Sequence, residues 1–397
     1  MKKTLICLMS SLLLFATARA AEEIPWNLPR LMQAPRAEPA EGFATNKLRA
    51  VFFDAPTWSG QTTRVFAYIG IPEHKPGVKV PGMVLIHGGG GTAFVKWVEL
   101  WNSRGYAAIA MDTCGCVPGG AHGKRPRHDR GGPPGWGGFQ QVDDAVVDQW
   151  SFHAVSAAIL AHSLLRAEPE VDTARIGVTG ISWGGYLTCI VAGLDERFRC
   201  AVPVYGCGFL GDNSVWLPEF KKMGTEKAAD WLRRWDPARY LPRAKMPFLW
   251  VDGSNDFAYP MDSLQKSYRL PPGPRTLCTR VRMPHGHGGP GENPEEIHVF
   301  VENMLCGGPA LPRITAQGRD WATFDAPGKI VKAELNYTRA TGNWKERTWE
   351  TMPATLDAAK NKITATLPSG VTVHYFNITD EHGLVVSTEH IASAAQP

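Results

Sequence analysis

Apolar positions along the chain fall into short runs that alternate between two periods. Residues 48–53 and 63–71 read as strands, and residues 82–86, Gly-Met-Val-Leu-Ile, contain no polar position at all. The first two predict an antiparallel edge hairpin, and a run that is apolar on both faces predicts a central parallel strand. Helical spacing over 93–103 leads into a strand at 106–111, and helix 146–166 into a strand at 174–178. Further strands are predicted at 200–205, 247–251 and 276–283, with helices at 185–193, 261–268 and 294–305. Strands alternating with helices of this length predict an α/β fold, a mostly parallel sheet with helices on both faces.

Three stretches break the rhythm. Residues 114–141 are loaded with Gly, Pro, Arg and His and show no period, which predicts a long functional or mobile loop. Residues 212–242 form an excursion with helical spacing over 219–235 and many aromatics. After Gly307-Gly308-Pro309 the texture changes to alternating runs at 330–337, 362–367 and 371–377, separated by Gly, Pro and Asp turns. That pattern predicts a small C-terminal β-sandwich over 312–397, behind an α/β unit at 47–308.

The N-terminus belongs to neither. Lys2 and Lys3 precede an apolar run over 5–15, and Ala18-Arg19-Ala20 supplies small residues at the end. Residues 1–20 thus read as a secretory signal cleaved near Ala20, with an uncleaved anchor as the alternative, and 21–46 as an irregular arm. The mature chain is expected in the periplasm or outside the cell. Without Lys2, Lys3 and Arg19 it has 39 basic against 38 acidic residues, a net charge of +1 that gives nucleic acid no electrostatic handle. Seven cysteines remain after Cys7. An odd number leaves at least one thiol free or paired outside the chain, and export makes a disulfide among the rest possible. Cys114-x-Cys116 lacks a second ligand pair at metal spacing, so no zinc site is expected there.

The chemistry concentrates where strand pattern runs into Gly180-Ile181-Ser182-Trp183-Gly184-Gly185. Gly-x-Ser-x-Gly between a strand and a helix predicts a strained turn that lifts Ser182 above the sheet as a nucleophile. An activated serine needs a base and a carboxylate to orient it. Strand 247–251 runs into Asp252 and, past a Gly turn, Asp256. Asp256 is preferred as the carboxylate because it lies beyond the strand end, whereas Asp252 reads as a turn residue. The base is expected in Pro284-His285-Gly286-His287-Gly288. His287, in the Gly-flanked part of that loop, is preferred, with His285 as a substrate contact. His153 and His162 read as structural. For an oxyanion hole the sequence offers the amide of Trp183 and those of Gly89 or Gly90 in His87-Gly88-Gly89-Gly90-Gly91. Trp136, Trp216, Trp231, Trp235 and Tyr240, with the basic stretch 124–128 and Arg127 in particular, could wall a cleft in which aromatic faces stack on sugar rings.

Through these residues, 48–306 resembles the α/β-hydrolase superfamily, and within it the bacterial acetylxylan esterases and prolyl-oligopeptidase-like hydrolases. The resemblance implies a serine esterase acting on acylated carbohydrate, a small molecule or a polysaccharide, without metal or organic cofactor. It does not extend beyond about Pro312, where the tail looks like an immunoglobulin-like accessory domain. Two other functions stay open: a peptidase or amidase, and a non-catalytic glycan-binding protein. The sequence does not speak to the oligomeric state.

Overall fold

The structure, a computed structural model, describes residues 24–393; the expected signal at 1–20 lies outside the described residues. The strands are β1 (Ala37–Pro39), β2 (Arg49–Trp58), β3 (Gln61–Gly70), β4 (Val80–Ile86), β5 (Ala107–Met111), β6 (Val171–Ile181), β7 (Ala201–Val204), β8 (Phe248–Gly253) and β9 (Arg275–Arg280). They make one sheet in the order β1-β2-β3-β5-β4-β6-β7-β8-β9. Pairing is antiparallel from β1 through β5 and parallel from β5 through β9. As the pattern predicts, β2 and β3 pair as an antiparallel hairpin and the wholly buried β4 sits at the centre, but the short β1 lies outside the hairpin as the edge strand.

Helices close both faces. The helix Trp150–Arg166 is buried at every position from Trp150 to Leu165, which explains why it shows no polar stripe. Within it, His162 Nδ1 lies 2.8 Å from Asp195 Oδ2, and Arg197 binds the same carboxylate. The segment 114–141 is tied down: Asp112 Oδ1 accepts from the amides of Cys114 and Cys116 at 2.8 and 2.7 Å. The cysteines among the described residues are all unpaired, and only Cys306 is exposed.

Beyond residue 312 come β10 (Arg313–Gln317), β11 (Trp321–Asp325), β12 (Ile330–Thr338), β13 (Glu350–Pro353), β14 (Thr355–Asp357), β15 (Lys362–Thr364), β16 (Val373–Asp380), β17 (Val385–Ser387) and β18 (Ile391–Ala392). They form two antiparallel sheets, β10-β11-β15-β14 and β13-β12-β16-β17 with β18 also on β16. Phe324, Leu335, Ile363, Phe376 and Ile378 are buried among them. This β-unit also solves a problem of the large sheet, whose edge strand β9 would otherwise leave backbone groups without partners. Thr279 in β9 donates its amide to Ser387 Oγ at 2.8 Å, and its carbonyl accepts from Asn377 Nδ2 at 3.2 Å. Glu296, 1% exposed, accepts from Arg280 at 2.6 Å and from the Val385 amide at 2.7 Å.

Candidate active site

Strand β6 ends in Ile181, and Ser182 follows with φ 59° and ψ −119°, before the helix Trp183–Leu194 begins. A non-glycine residue held there is strained, and the strain persists because its surroundings leave no alternative. A Cβ on Gly184 would sit 1.9 Å from the Ile86 carbonyl oxygen, and one on Gly180 would sit 2.2 Å from the Gly184 carbonyl oxygen. The Ser182 amide donates to Val204 at 2.8 Å and its carbonyl accepts from Tyr186 at 2.9 Å, which locks the turn between β7 and the helix.

The turn after β8 holds Asp256, whose side chain is fully shielded. Its Oδ1 accepts from the amides of Ala258 and Tyr259, both at 2.8 Å, and its Oδ2 lies 2.5 Å from His285 Nδ1. With Oδ1 engaged by the two amides, Oδ2 is left to accept from His285 Nδ1, which turns Nε2 away from the carboxylate. The ring stacks on Tyr205 at 4.6 Å between centroids, and Tyr205 directly follows Val204, the residue that anchors Ser182. Asp252 is also buried. Among the described residues it accepts only from the Gly253 amide at 2.7 Å, and burial, with the Asp256 charge beside it, raises its carboxyl well above the usual range.

His287 makes a different pair. Its Nδ1 lies 2.9 Å from Glu292 Oε1, and its Nε2 accepts from the Gly88 amide at 2.9 Å. The Asp256–His287 contact expected from the sequence is therefore not formed: the carboxylate meets His285. Gly286 between them and Gly288 just after them, the latter at φ 79°, let the chain turn so that the two imidazoles serve separate carboxylates.

Glycines 88–91 pass next to this point. A Cβ on Gly88 would come within 3.1 Å of Ser182 Cβ, and one on Gly89 within 2.8 Å of the Trp183 ring, so bare backbone is required. Buried His87 holds the loop through Nδ1–H to the Gly88 carbonyl at 2.7 Å while its Nε2 accepts from the Thr113 amide at 3.1 Å. Burial lowers this imidazole to about 3, so it stays neutral. Among the described residues, nothing accepts from the amides of Trp183, Gly89 or Gly90. Three unused donors beside a serine, one of them opening a helix, are what a developing oxyanion requires.

A mixed sheet of this order, a nucleophile-type turn after its central parallel strand and a carboxylate–histidine pair after later strands together define one architecture. The chain carries the α/β-hydrolase fold. Solved structures agree. An acetyl xylan esterase from Paenibacillus sp. R4 is 24% identical, with a TM-score of 0.56 over 70% of this chain and 92% of that one. The acylaminoacyl peptidase of Pyrococcus horikoshii is 20% identical, with a TM-score of 0.50 over 70% of this chain and 44% of that one. Residues 139–294 match the model of the prolyl oligopeptidase family, a span that includes Ser182, Asp256, His285, His287 and Glu292. Over 47% of its length this chain is 26% identical to the uncharacterized peptidase YuxL of Bacillus subtilis, covering 28% of that protein. This chain thus spans less than a third of that relative.

Around this hydrolase-fold centre the aromatics divide. Trp136 lies beside Gly89, and Trp216 packs on Trp183 at 4.4 Å. Phe257, 45% exposed, covers His285 at 4.7 Å. Trp231, Trp235 and Tyr240, by contrast, are buried and wall no cleft: the Trp231 indole donates to the Gly137 carbonyl and that of Trp235 to Gln149, because the excursion packs flat onto the domain. Arg127 is not turned toward a substrate either. Its guanidinium donates to the carbonyls of Cys114, Gly131 and Gly132, and so braces its own loop. The sequence reading missed Glu292, which lies five residues past His287 in a Gly- and Pro-rich stretch, and His122, whose ring touches the glycine loop at the Gly89 carbonyl.

Proposed function

We propose that this chain is an exported serine hydrolase that cleaves carboxylic esters, acetyl or other acyl groups on carbohydrate, through an acyl-enzyme on Ser182. The observation that carries the reading is the Asp256–His285 pair stacked on Tyr205 beside the strained Ser182 turn. Trp136, Trp216 and Phe257 offer faces on which sugar rings stack. Export rests on the basic and apolar pattern of residues 1–20.

In this reading His285 Nε2 takes the Ser182 hydroxyl proton as the oxygen attacks the acyl carbon, and Asp256 stabilises the imidazolium that forms. The amides of Trp183 and of Gly89 or Gly90 receive the oxyanion. His285 then gives its proton to the departing alcohol, and water, activated by the same imidazole, releases the acid and restores Ser182. His287 is not the base here, since its Nε2 is taken up by the Gly88 amide and its Nδ1 by Glu292.

A second reading, a peptidase, is favoured by the match of residues 139–294 to the prolyl oligopeptidase model. One panel separates the two: p-nitrophenyl acetate, acetylated xylo-oligosaccharides and aminoacyl p-nitroanilides, each with the parent and Ser182→Ala. The ester reading expects turnover of the acetyl esters, lost in Ser182→Ala; faster turnover of the anilides would replace it with the peptidase.

A further inference from the structure

The turn that carries Asp256 also carries Asn255, and Asn255 faces away from the site. Its Nδ2 donates to the carbonyls of Trp344, Lys345 and Arg347 at 3.1, 3.0 and 2.7 Å. All three belong to one turn of the C-terminal β-unit, between β12 and β13. A carboxamide has two N–H groups, so three acceptors converging on it mark a preformed socket. From the other side, Asn255 Oδ1 accepts from Ser254 Oγ at 2.9 Å. Ser254 Oγ in turn accepts from the amide of Arg282 at 3.1 Å, three residues before His285. Arg282 stands at φ 54°, and its guanidinium donates to the Arg347 carbonyl at 3.4 Å. A continuous relay therefore joins the acid-bearing turn and the histidine-bearing turn to a single external segment.

That segment is braced from within. Asn343 Oδ1 accepts from the Lys345 amide at 3.1 Å, Arg347 binds the Gly342 carbonyl at 2.9 Å, and its guanidinium lies 3.7 Å above the Trp344 ring. Trp344 is buried in a cluster of its own with Met261, Trp349, Val373 and Tyr375, against which Val281 packs. Met261 opens the helix that follows the acid turn, and Val281 precedes Arg282. The apolar contacts thus grip the same two turns as the hydrogen bonds. One other tie to the β-unit, Glu389 with Arg269 and Arg275, lies away from these turns.

We infer that the C-terminal β-unit is a working part of the active site, its 342–347 turn holding the Asp256–His285 pair in register through the positioning residue Asn255. The inference rests on the roles given above to Asp256 and His285. Displacing a reacting group by about 1 Å lowers rates by up to a hundredfold, so losing the socket loosens the pair without touching the substrate.

The test compares the parent with Asn255→Ala, Ser254→Ala and, as a control, Glu389→Ala in the full chain. Asn255→Ala is expected to lower kcat and the rate of fluorophosphonate labelling about ten- to a hundredfold, with KM within about twofold. The acid limb of kcat/KM moves to lower pH, because a loosened Asp256 stabilises the imidazolium less. The downfield proton resonance of the His285 Nδ1–H broadens or disappears. Ser254→Ala, which cuts the relay one link later, gives the same pattern more weakly and serves should Asn255→Ala fail to fold. Glu389→Ala lowers Tm and leaves kcat and the acid limb alone. Parent-like kcat and acid limb in both relay variants, or a Glu389→Ala effect equal to theirs, overturns the inference. A parent that never labels at Ser182 sinks the hydrolase reading instead, and the proton resonance still reports whether Asn255 orders the pair.

Discussion

Removing each of the two adjacent histidines in turn discriminates most sharply between the two pairs beside Ser182. His285 alone meets Asp256, at 2.5 Å, and its Nε2 has no partner among the described residues. His287 spends one nitrogen on Glu292 and the other on the Gly88 amide, both at 2.9 Å. Deleting the base of a triad removes the proton acceptor for a group that does not ionise by itself, and triad members act as a unit. His285→Ala should therefore lower kcat by about 10⁴-fold or more, roughly 5.5 kcal/mol of barrier. His287→Ala removes one hydrogen bond to a backbone amide and one to a half-buried carboxylate. The first is worth about 1 kcal/mol and the second about 2, and only the part that shifts the glycine loop reaches the chemistry. Its expected loss is about five- to thirtyfold in kcat, together with a lower Tm. The assay is steady-state hydrolysis of p-nitrophenyl acetate by folded, monodisperse variants, with melting curves alongside. Retention of more than about a tenth of the activity by His285→Ala, with the larger loss in His287→Ala, would refute the assignment and make His287–Glu292 the working pair.

Two further outcomes follow from the same structure. Gly184→Ala places a methyl 1.9 Å from one backbone oxygen and 2.8 Å from another, neither of which is free to retreat. It should cost more than about 4 kcal/mol or prevent folding, whereas Gly289→Ala, whose methyl meets nothing within 4 Å, should express and melt like the parent; equal melting temperatures for the two would contradict the packing described. Acid should destabilise the fold, because burial depresses His87 to about 3 and His128, His153, His298 and His390 to about 4, against 6.5 for an ordinary imidazole. Between those limits the unfolded chain binds more protons than the folded one, so stability is lost as pH falls from about 6.5 toward 4. Calorimetry at pH 5 and 7.5 should show the lower Tm at pH 5, and a flat or inverted profile would be inconsistent with five buried neutral imidazoles.

Much of the architecture was legible in the chain because each central strand announces itself twice. β4 is apolar at every position, as only a strand covered on both faces can be, and Gly180 and Gly184 bracket Ser182 because backbone oxygens occupy the space their side chains would need. Which histidine meets Asp256 was not legible. His285 and His287 are two residues apart in a glycine-rich loop, and the direction each ring takes depends on dihedral angles that glycine leaves open. Nor was the fate of the excursion: Trp231 and Trp235 are buried only because its helices lie flat on the domain, and an amphipathic helix announces an apolar face without naming what covers it. Arg127 misled for a related reason. Its place in a basic stretch suggested a cleft wall, but a long irregular loop has carbonyls without partners, and a guanidinium with five donors is suited to collecting them. The service of Asn255 to a turn ninety residues away has no local signature at all.

The most direct test of the central claim is the mass of the intact protein after exposure to a fluorophosphonate, with peptide mapping of the adduct, in the parent and in Ser182→Ala. The account predicts a single adduct, on the peptide that contains Ser182, and none in the variant. A parent that stays unmodified, or an adduct that persists in Ser182→Ala, would contradict it.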